Sequence, residues 1–406
     1  MSLPKYSHQI GVGCVDITDK EKNYVMAVLD SGRLSYGPFH RKFEEMFAVL
    51  HGCRFAMKVN SGTSALRLAV AALKELGNWN EGDEVICPAV TFIATSNVVI
   101  MNGLTPVFVD VSPKTYNIDP AHIERAITKK TRAIMAVHLF GQPADMDPIM
   151  KIAKKHDLKV IEDSCETMFV KYKGRPVGSI GDISCFSTYA AHLVVTGVGG
   201  ITCTNHPAYA RVLKSLANHG RDGIYTSIDD DKNLDQQGLF SVVSRRFRFE
   251  RLGYSFRSTE MEAALGVAQL ERYKTILSRR QANAARLIRG LTPFKKYIQL
   301  PWHPALVGHA FMMFPIVIRK KSGIKKSDLV MFLEEHNIET RDMLPLTNQP
   351  VYKKLFGDDI EHRYPVAKWV NENGFYIGSH QKMTPDEIRY IIRACKEFFG
   401  KAQASS

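Results

Sequence analysis

"CFSTYAAHLVVTGVGGITCT" (residues 185–204) reads as a strand, a turn around His192, and a second strand entered through a glycine-rich stretch. Upstream, short apolar runs alternate with amphipathic stretches. Strands are expected at 54–60, 83–88, 105–111, 132–140 and 158–163. Helices are expected at 62–76, where Leu66, Val70 and Leu73 recur at helical spacing, and at 146–156. This rhythm predicts a largely parallel sheet covered on both faces. In such sheets ligands bind beyond the carboxyl ends of the strands.

Downstream the rhythm changes. Residues 226–247 read as a polar, acidic loop, and a long helix pattern runs from Ser258 to about Leu291. A strand is expected at 309–320, a helix at 325–337 and a closing helix at 384–399. Thr384 with Glu387 is a capping-box signal, and Pro385 suits the first turn. The division expected is a large α/β domain with an N-terminal arm, 1–255, and a smaller α+β domain, 256–406.

The 406 residues are 45% apolar and 23% charged, as in ordinary globular chains. No apolar run reaches the roughly 18 residues that span a bilayer, and no signal-peptide pattern opens the chain. The expectation is a cytoplasmic protein with no membrane partner. Seven scattered cysteines with no CxxC spacing argue against a disulfide framework or a zinc site. The net charge of +13 comes from dispersed basic pairs without interleaved aromatics, so no nucleic-acid partner is expected.

Three short stretches carry chemistry. In "VNSGTSAL" (59–66), Gly62 admits a ligand close to the backbone. The helix-start amides and the hydroxyls of Thr63 and Ser64 suit a phosphate; taken alone, the same residues read more readily as a plain helix cap. In "VIEDSCET" (160–167), Asp163 ends an apolar strand, where it could pair with a protonated ring nitrogen or cap a helix after the strand. In "PAVTFIATSN" (88–97), Phe92 could stack on a planar group or serve the core.

Taken in order, these stretches resemble the DegT/DnrJ/EryC1/StrS sugar aminotransferase family, fold-type I enzymes that use pyridoxal phosphate. "LSYGPFHRKFEEMFA" (34–48), "VHLFGQPADM" (137–146), "TGVGG" (196–200), "GYSFRSTEMEAALG" (253–266) and "IETRDMLPL" (338–346) extend the likeness along nearly the whole chain. The resemblance implies an aminotransferase-like α/β fold. It also implies that Gly62, Thr63 and Ser187 hold the cofactor phosphate, Phe92 stacks on its ring, Asp163 meets the pyridine nitrogen and Glu166 lies near the ring hydroxyl. Where members often carry Asn after "GY", this chain has Ser255, and "TGEGG" has become "TGVGG" with Val198.

At the place of the family's cofactor-binding lysine stands His192. Histidine cannot form a stable imine, but it can move protons, with an ordinary pKa of about 6.5. The family contains a histidine-bearing branch, the GDP-4-keto-6-deoxymannose 3-dehydratases, and "EDSCET" and "NGFYIGSHQ" (373–381) resemble it. The resemblance therefore implies a lyase. It would use pyridoxamine phosphate to remove the C3 hydroxyl of a nucleotide-linked 4-keto-6-deoxyhexose, with His192 as acid and base. Glutamate is the expected amino donor and a homodimer the expected assembly. No iron–sulfur cluster is expected, because no cysteine falls between Cys203 and Cys395. A sugar aminotransferase, another amine-cofactor enzyme and a non-catalytic cofactor-binding protein are the alternatives. His219, Arg221, Arg257, Arg341 and His380 are candidates for substrate contact or for plain salt bridges.

Overall fold

The computed structural model describes residues 3–222 and 234–404. Its centre is a seven-stranded sheet: β1 (Phe55–Val59), β2 (Glu84–Pro88), β3 (Thr105–Val109), β4 (Thr131–Val137), β5 (Lys159–Asp163), β6 (Ile183–Ser187) and β7 (Gly200–Thr204). The spatial order is β1-β7-β6-β5-β4-β2-β3. Only β7 runs against its neighbours, pairing antiparallel with β1 and β6. The other pairs are parallel.

Alternate residues of the central strands enter different cores. Val85, Cys87, Ala133, Met135 and Ile161 join one apolar cluster with Leu66, Val70 and Leu73 of the helix Gly62–Gly77. Ile86, Ile134, Ala136 and Val160 join another with Met146 and Ile149 of the helix Met146–Lys155. Burial on both faces is why these strands read as unbroken apolar runs.

The C-terminal part builds a four-stranded antiparallel sheet from Ile298–Gln299, Phe314–Ile318, Gly374–Ile377 and Arg341–Asp342. Its core joins Leu287, Ile316, Leu333 and Ile391 with Ile10 from the N-terminal arm. Helix Glu260–Glu271 buries Ala263, Val267 and Leu270 elsewhere, with Phe43, Phe47 and Phe186 beside the large sheet.

Three expectations about elements need correction. The helix expected from Ser258 to Leu291 is two helices, Glu260–Glu271 and Tyr273–Leu291, joined at Arg272 (ψ 13°). Arg272 is pinned there by Asp16 at 2.8 Å and Glu21 at 2.9 Å. The strand expected at 309–320 spans only Phe314–Ile318, because Phe311 takes φ +47° and turns the chain. The loop expected at 226–247 contains the helix Gln236–Arg245, whose N-terminus Asp235 caps by accepting from the Gly238 amide at 2.7 Å. Residues 226–233 of that loop lie outside the described residues.

Candidate active site

A cavity of about 370 Å³ opens at the carboxyl ends of the parallel strands. Five of the strands deliver residues to it: Ser61–Thr63 after β1, Thr91–Phe92 after β2, Leu139 after β4, Cys165 and Glu166 after β5, and Ser187 at the end of β6. The reversed strand β7 is entered from the same rim, which brings Val198 and Gly199 to the wall. Met313, Leu344 and Tyr376 come from the C-terminal part.

Helix Gly62–Gly77 starts at the cavity. Ser61 caps it, its Oγ accepting from the Ser64 amide at 3.0 Å. The first amides of a helix have no intrahelical acceptor, so Gly62 and Thr63 present donors and a positive helix end to the space. A Cβ on Gly62 would stand 2.8 Å from the Ser187 Cβ and 2.9 Å from the Cys165 Sγ. Any larger residue would close this cradle. Ser64 does not line the cavity; its hydroxyl bonds Ser61 at 2.9 Å.

Asp163 is buried at the tip of β5. Its carboxylate accepts from the Thr95 hydroxyl at 2.8 Å and the Cys165 amide at 3.2 Å. Burial raises its pKa, against those two bonds. Glu166 accepts from the Phe140 amide at 2.7 Å, and burial, helped by the Asp163 charge, pushes its carboxyl up to about 7. Behind this wall, Glu162 binds His138 at 3.0 Å and the amides of Gly178 and Ile180 at 2.9 and 2.7 Å. Burial opposes its charge, yet His138 and the amides hold it below the usual carboxylate range.

His192 lies opposite, on the 188–199 loop. The loop is closed by the Thr188 amide to the Gly199 carbonyl at 2.9 Å and by the Thr188–Thr196 hydroxyl pair at 2.6 Å. The His192 Nδ1 is 3.2 Å from the Ser187 carbonyl. A carbonyl only accepts, so Nδ1 carries the hydrogen and Nε2 keeps its lone pair. Burial pulls the imidazole down to about 4; the Arg280 charge acts in the same sense and the Ser187 and Cys165 carbonyls oppose it. No described residue lining the cavity is a lysine. Lys58 lies behind the wall, its Nζ 3.9 Å from Glu262 and 3.3 Å from where a Gly199 Cβ would stand.

The structure thus brings together Gly62, Thr63, Phe92, Asp163, Glu166, Ser187 and His192. The other candidates lie outside the cavity wall. Ser255, His219 and Arg257 form an exposed cluster: Arg257 donates to the His219 Nε2 and the Ser255 Oγ, both at 3.1 Å. Arg221 donates to the Arg246 carbonyl and stacks on Phe247 and Phe249. Arg341 is exposed, paired with Glu339, in register beside the cavity residue Tyr376. His380 is buried, and burial followed by the Arg280 charge lowers its pKa to about 4. Thr95, Tyr189 and Tyr376 were not legible as site residues. Only the strand-end position near Thr95 gave a signal.

Residues 15–396 match the DegT/DnrJ/EryC1/StrS aminotransferase family. The chain belongs to this family. It is 33% identical to GDP-perosamine synthase of Caulobacter vibrioides, over 95% of this chain and 97% of that one. It is 30% identical to GDP-4-keto-6-deoxy-D-mannose 3-dehydratase of Yersinia pseudotuberculosis, over 93% and 96%. A crystal structure of GDP-4-keto-6-deoxymannose-3-dehydratase with a trapped PLP-glutamate geminal diamine superposes with a TM-score of 0.84 at 28% identity, covering 94% of this chain and 99% of that one. The fold is that of the aminotransferase-like enzymes, and the relatives include both nucleotide-sugar aminating and dehydrating proteins. No helix among the described residues is long and apolar enough to cross a membrane, and they hold no cluster of three or more metal-ligating side chains.

Proposed function

We propose that this protein is a 3-dehydratase of a nucleotide-linked 4-keto-6-deoxyhexose, with His192 as its acid and base. One observation carries the reading: among the described residues, the cavity wall offers an imidazole and no lysine. The cofactor is pyridoxal phosphate, working here in its amine form. The residues present fit it. The Gly62 cradle and the helix start suit a phosphate, and buried Asp163, whose charged form burial disfavours, suits a protonated ring nitrogen. When bound, the group supplies an electron sink for bond breaking beside a carbonyl carbon.

The chain's own residues do the rest. Gly62, Thr63 and Ser187 hold the phosphate end. Asp163 stays ionised against a ring cation and fixes the ring's orientation. Phe92 covers one face. His192 would accept through Nε2 the proton released from carbon at the reacting centre and deliver it to the C3 hydroxyl, which leaves as water; a neutral imidazole at working pH can do this. A lysine would instead form a covalent link and favour amino transfer.

Phe92 is 57% exposed, Tyr189 55% and Val198 50%. A second copy of the chain covers this open side in the proposed homodimer. Glutamate restores the amine form, a role supported by the glutamate adduct held by the related crystal structure.

The test has two arms. Protein loaded with pyridoxamine phosphate, given a panel of nucleotide-linked 4-keto sugars, should release a 3-deoxy product, and His192→Lys should suppress it. An amino sugar as main product would establish an aminotransferase instead. Borohydride treatment followed by peptide mass analysis should leave every lysine unlabelled; a pyridoxyl group on Lys58 would overturn the untethered site.

A further inference from the structure

Arg280 is the largest fully buried side chain of the described residues. It projects from the helix Tyr273–Leu291 of the C-terminal part toward the loop that carries His192. Its Nη2 donates to the His192 carbonyl at 3.3 Å. Nη1 donates to the carbonyls of Met312 and Phe311 at 3.0 and 3.4 Å, and Nε to the Gln381 Oε1 at 3.0 Å. Every acceptor is neutral. A buried guanidinium usually sits against a carboxylate, because an uncompensated charge is costly away from water. Asp16, on the N-terminal arm, is engaged by Arg272 at 2.8 Å.

The same loop rests on that arm, for a Cβ on Gly13 would stand 3.2 Å from Ala191. The charge of Arg280 is felt by Cys14, His192 and His380, and burial lowers its own pKa to about 10. Among the described residues, the ionisable groups that share the cavity with the imidazole are Cys165, Asp163 and Glu166 at the β5 end, Tyr376 from the C-terminal part and Tyr189 on its own loop (ring centroids 6.0 Å apart), with Arg280 at the His192 carbonyl. Arg280 is the cation among them.

We propose that Arg280 is a positioning residue for His192: its uncompensated charge fixes the His192 carbonyl and keeps the imidazole neutral, with Nε2 ready to accept a proton. The C-terminal part thereby adds to burial in holding a group on the large sheet's rim neutral. This rests on the reading of His192 as the acid and base.

The experiment is a histidine NMR titration of the full-length protein, with the His192 signal assigned by its loss in His192→Gln. In the wild type it should titrate near 4. Arg280→Gln should move the midpoint upward toward the ordinary value of about 6.5, while Arg280→Lys should leave it near the wild-type position. An Arg280→Gln protein that melts cooperatively with an unmoved midpoint overturns the proposal. Should Arg280→Gln not fold, Arg280→Met decides, by keeping the apolar volume of the side chain without its charge. The same upward shift supports the proposal, and an unmoved midpoint overturns it. The titration needs no turnover, so absence of 3-deoxy product would sink the dehydratase reading and leave this test intact.

Discussion

The β5 end and the 188–199 loop face each other across one cavity, and burial acts on them with opposite sign. At the β5 end it raises two acids, Asp163 and Glu166. On the loop it depresses a base, His192. The common cause is that a dry wall disfavours whichever form is charged. The difference lies in the counter-charge each side can recruit. Asp163 and Glu166 face a space suited to a cationic ring nitrogen and its hydroxyl, whereas His192 backs onto Arg280. In the proposed function the acid wall regains a charge on binding the cofactor, and the loop stays neutral.

The largest effect is expected from His192→Gln, which keeps a polar side chain and removes the proton carrier. Dehydration measured by release of 3-deoxy sugar should fall by roughly 10²–10⁴-fold, with the bound-cofactor spectrum retained. Equal turnover would mean that the loop is a passive wall.

Next comes Asp163→Asn, which keeps the Thr95 contact and removes the charge. It should weaken binding of pyridoxal phosphate, read by absorbance titration, by about tenfold or more, as the loss of one charge-assisted hydrogen bond implies. Unchanged affinity would show that the acid wall does not recruit a cation.

Glu166 gives a test of sign without turnover. Its native carboxyl titrates near 7, above the ordinary value of about 4.3. The folded apo-protein then binds more protons than the unfolded chain between these limits. Stability from this group is full below about pH 4.3 and is lost as pH rises through about 7, by about 4 kcal/mol. Glu166→Gln should flatten that decline in chemical denaturation. His192 works the other way: its depressed pKa adds stability as pH rises from about 4 toward the ordinary 6.5. Because His51 and His380 share that sign, each variant must be measured against wild type.

The smallest effect is expected at Ser61, where Ala would remove the cap that presents the Gly62 and Thr63 amides. The loss should be about 1 kcal/mol in denaturant unfolding, with weaker binding of inorganic phosphate as the more specific readout.

Much of this was legible from residues 54–204. Apolar runs with no polar alternation, each followed by Gly, Ser, Thr or an acid, place a ligand site at strand ends, where Gly62 and Asp163 stand; His192 was marked by the family resemblance. The exposed group of Ser255, His219 and Arg257 shows the opposite limit. Those residues share a motif with the site but not its cavity, because loops after Pro207–Ala217 carry them to the surface. The break at Arg272 was hidden for a related reason. Helical periodicity continues through it, and only the partners Asp16 and Glu21, some 250 positions away, turn the chain there.

Local pattern and residue identity suffice for the order of strands and helices, for the burial of both sheet faces and for the imidazole at position 192. Three properties needed the folded chain: Nδ1 tied to a carbonyl, Glu166 held near neutrality, and Arg280 reaching the His192 loop. Each arises from burial or from contacts between distant segments, which no stretch of neighbouring residues encodes.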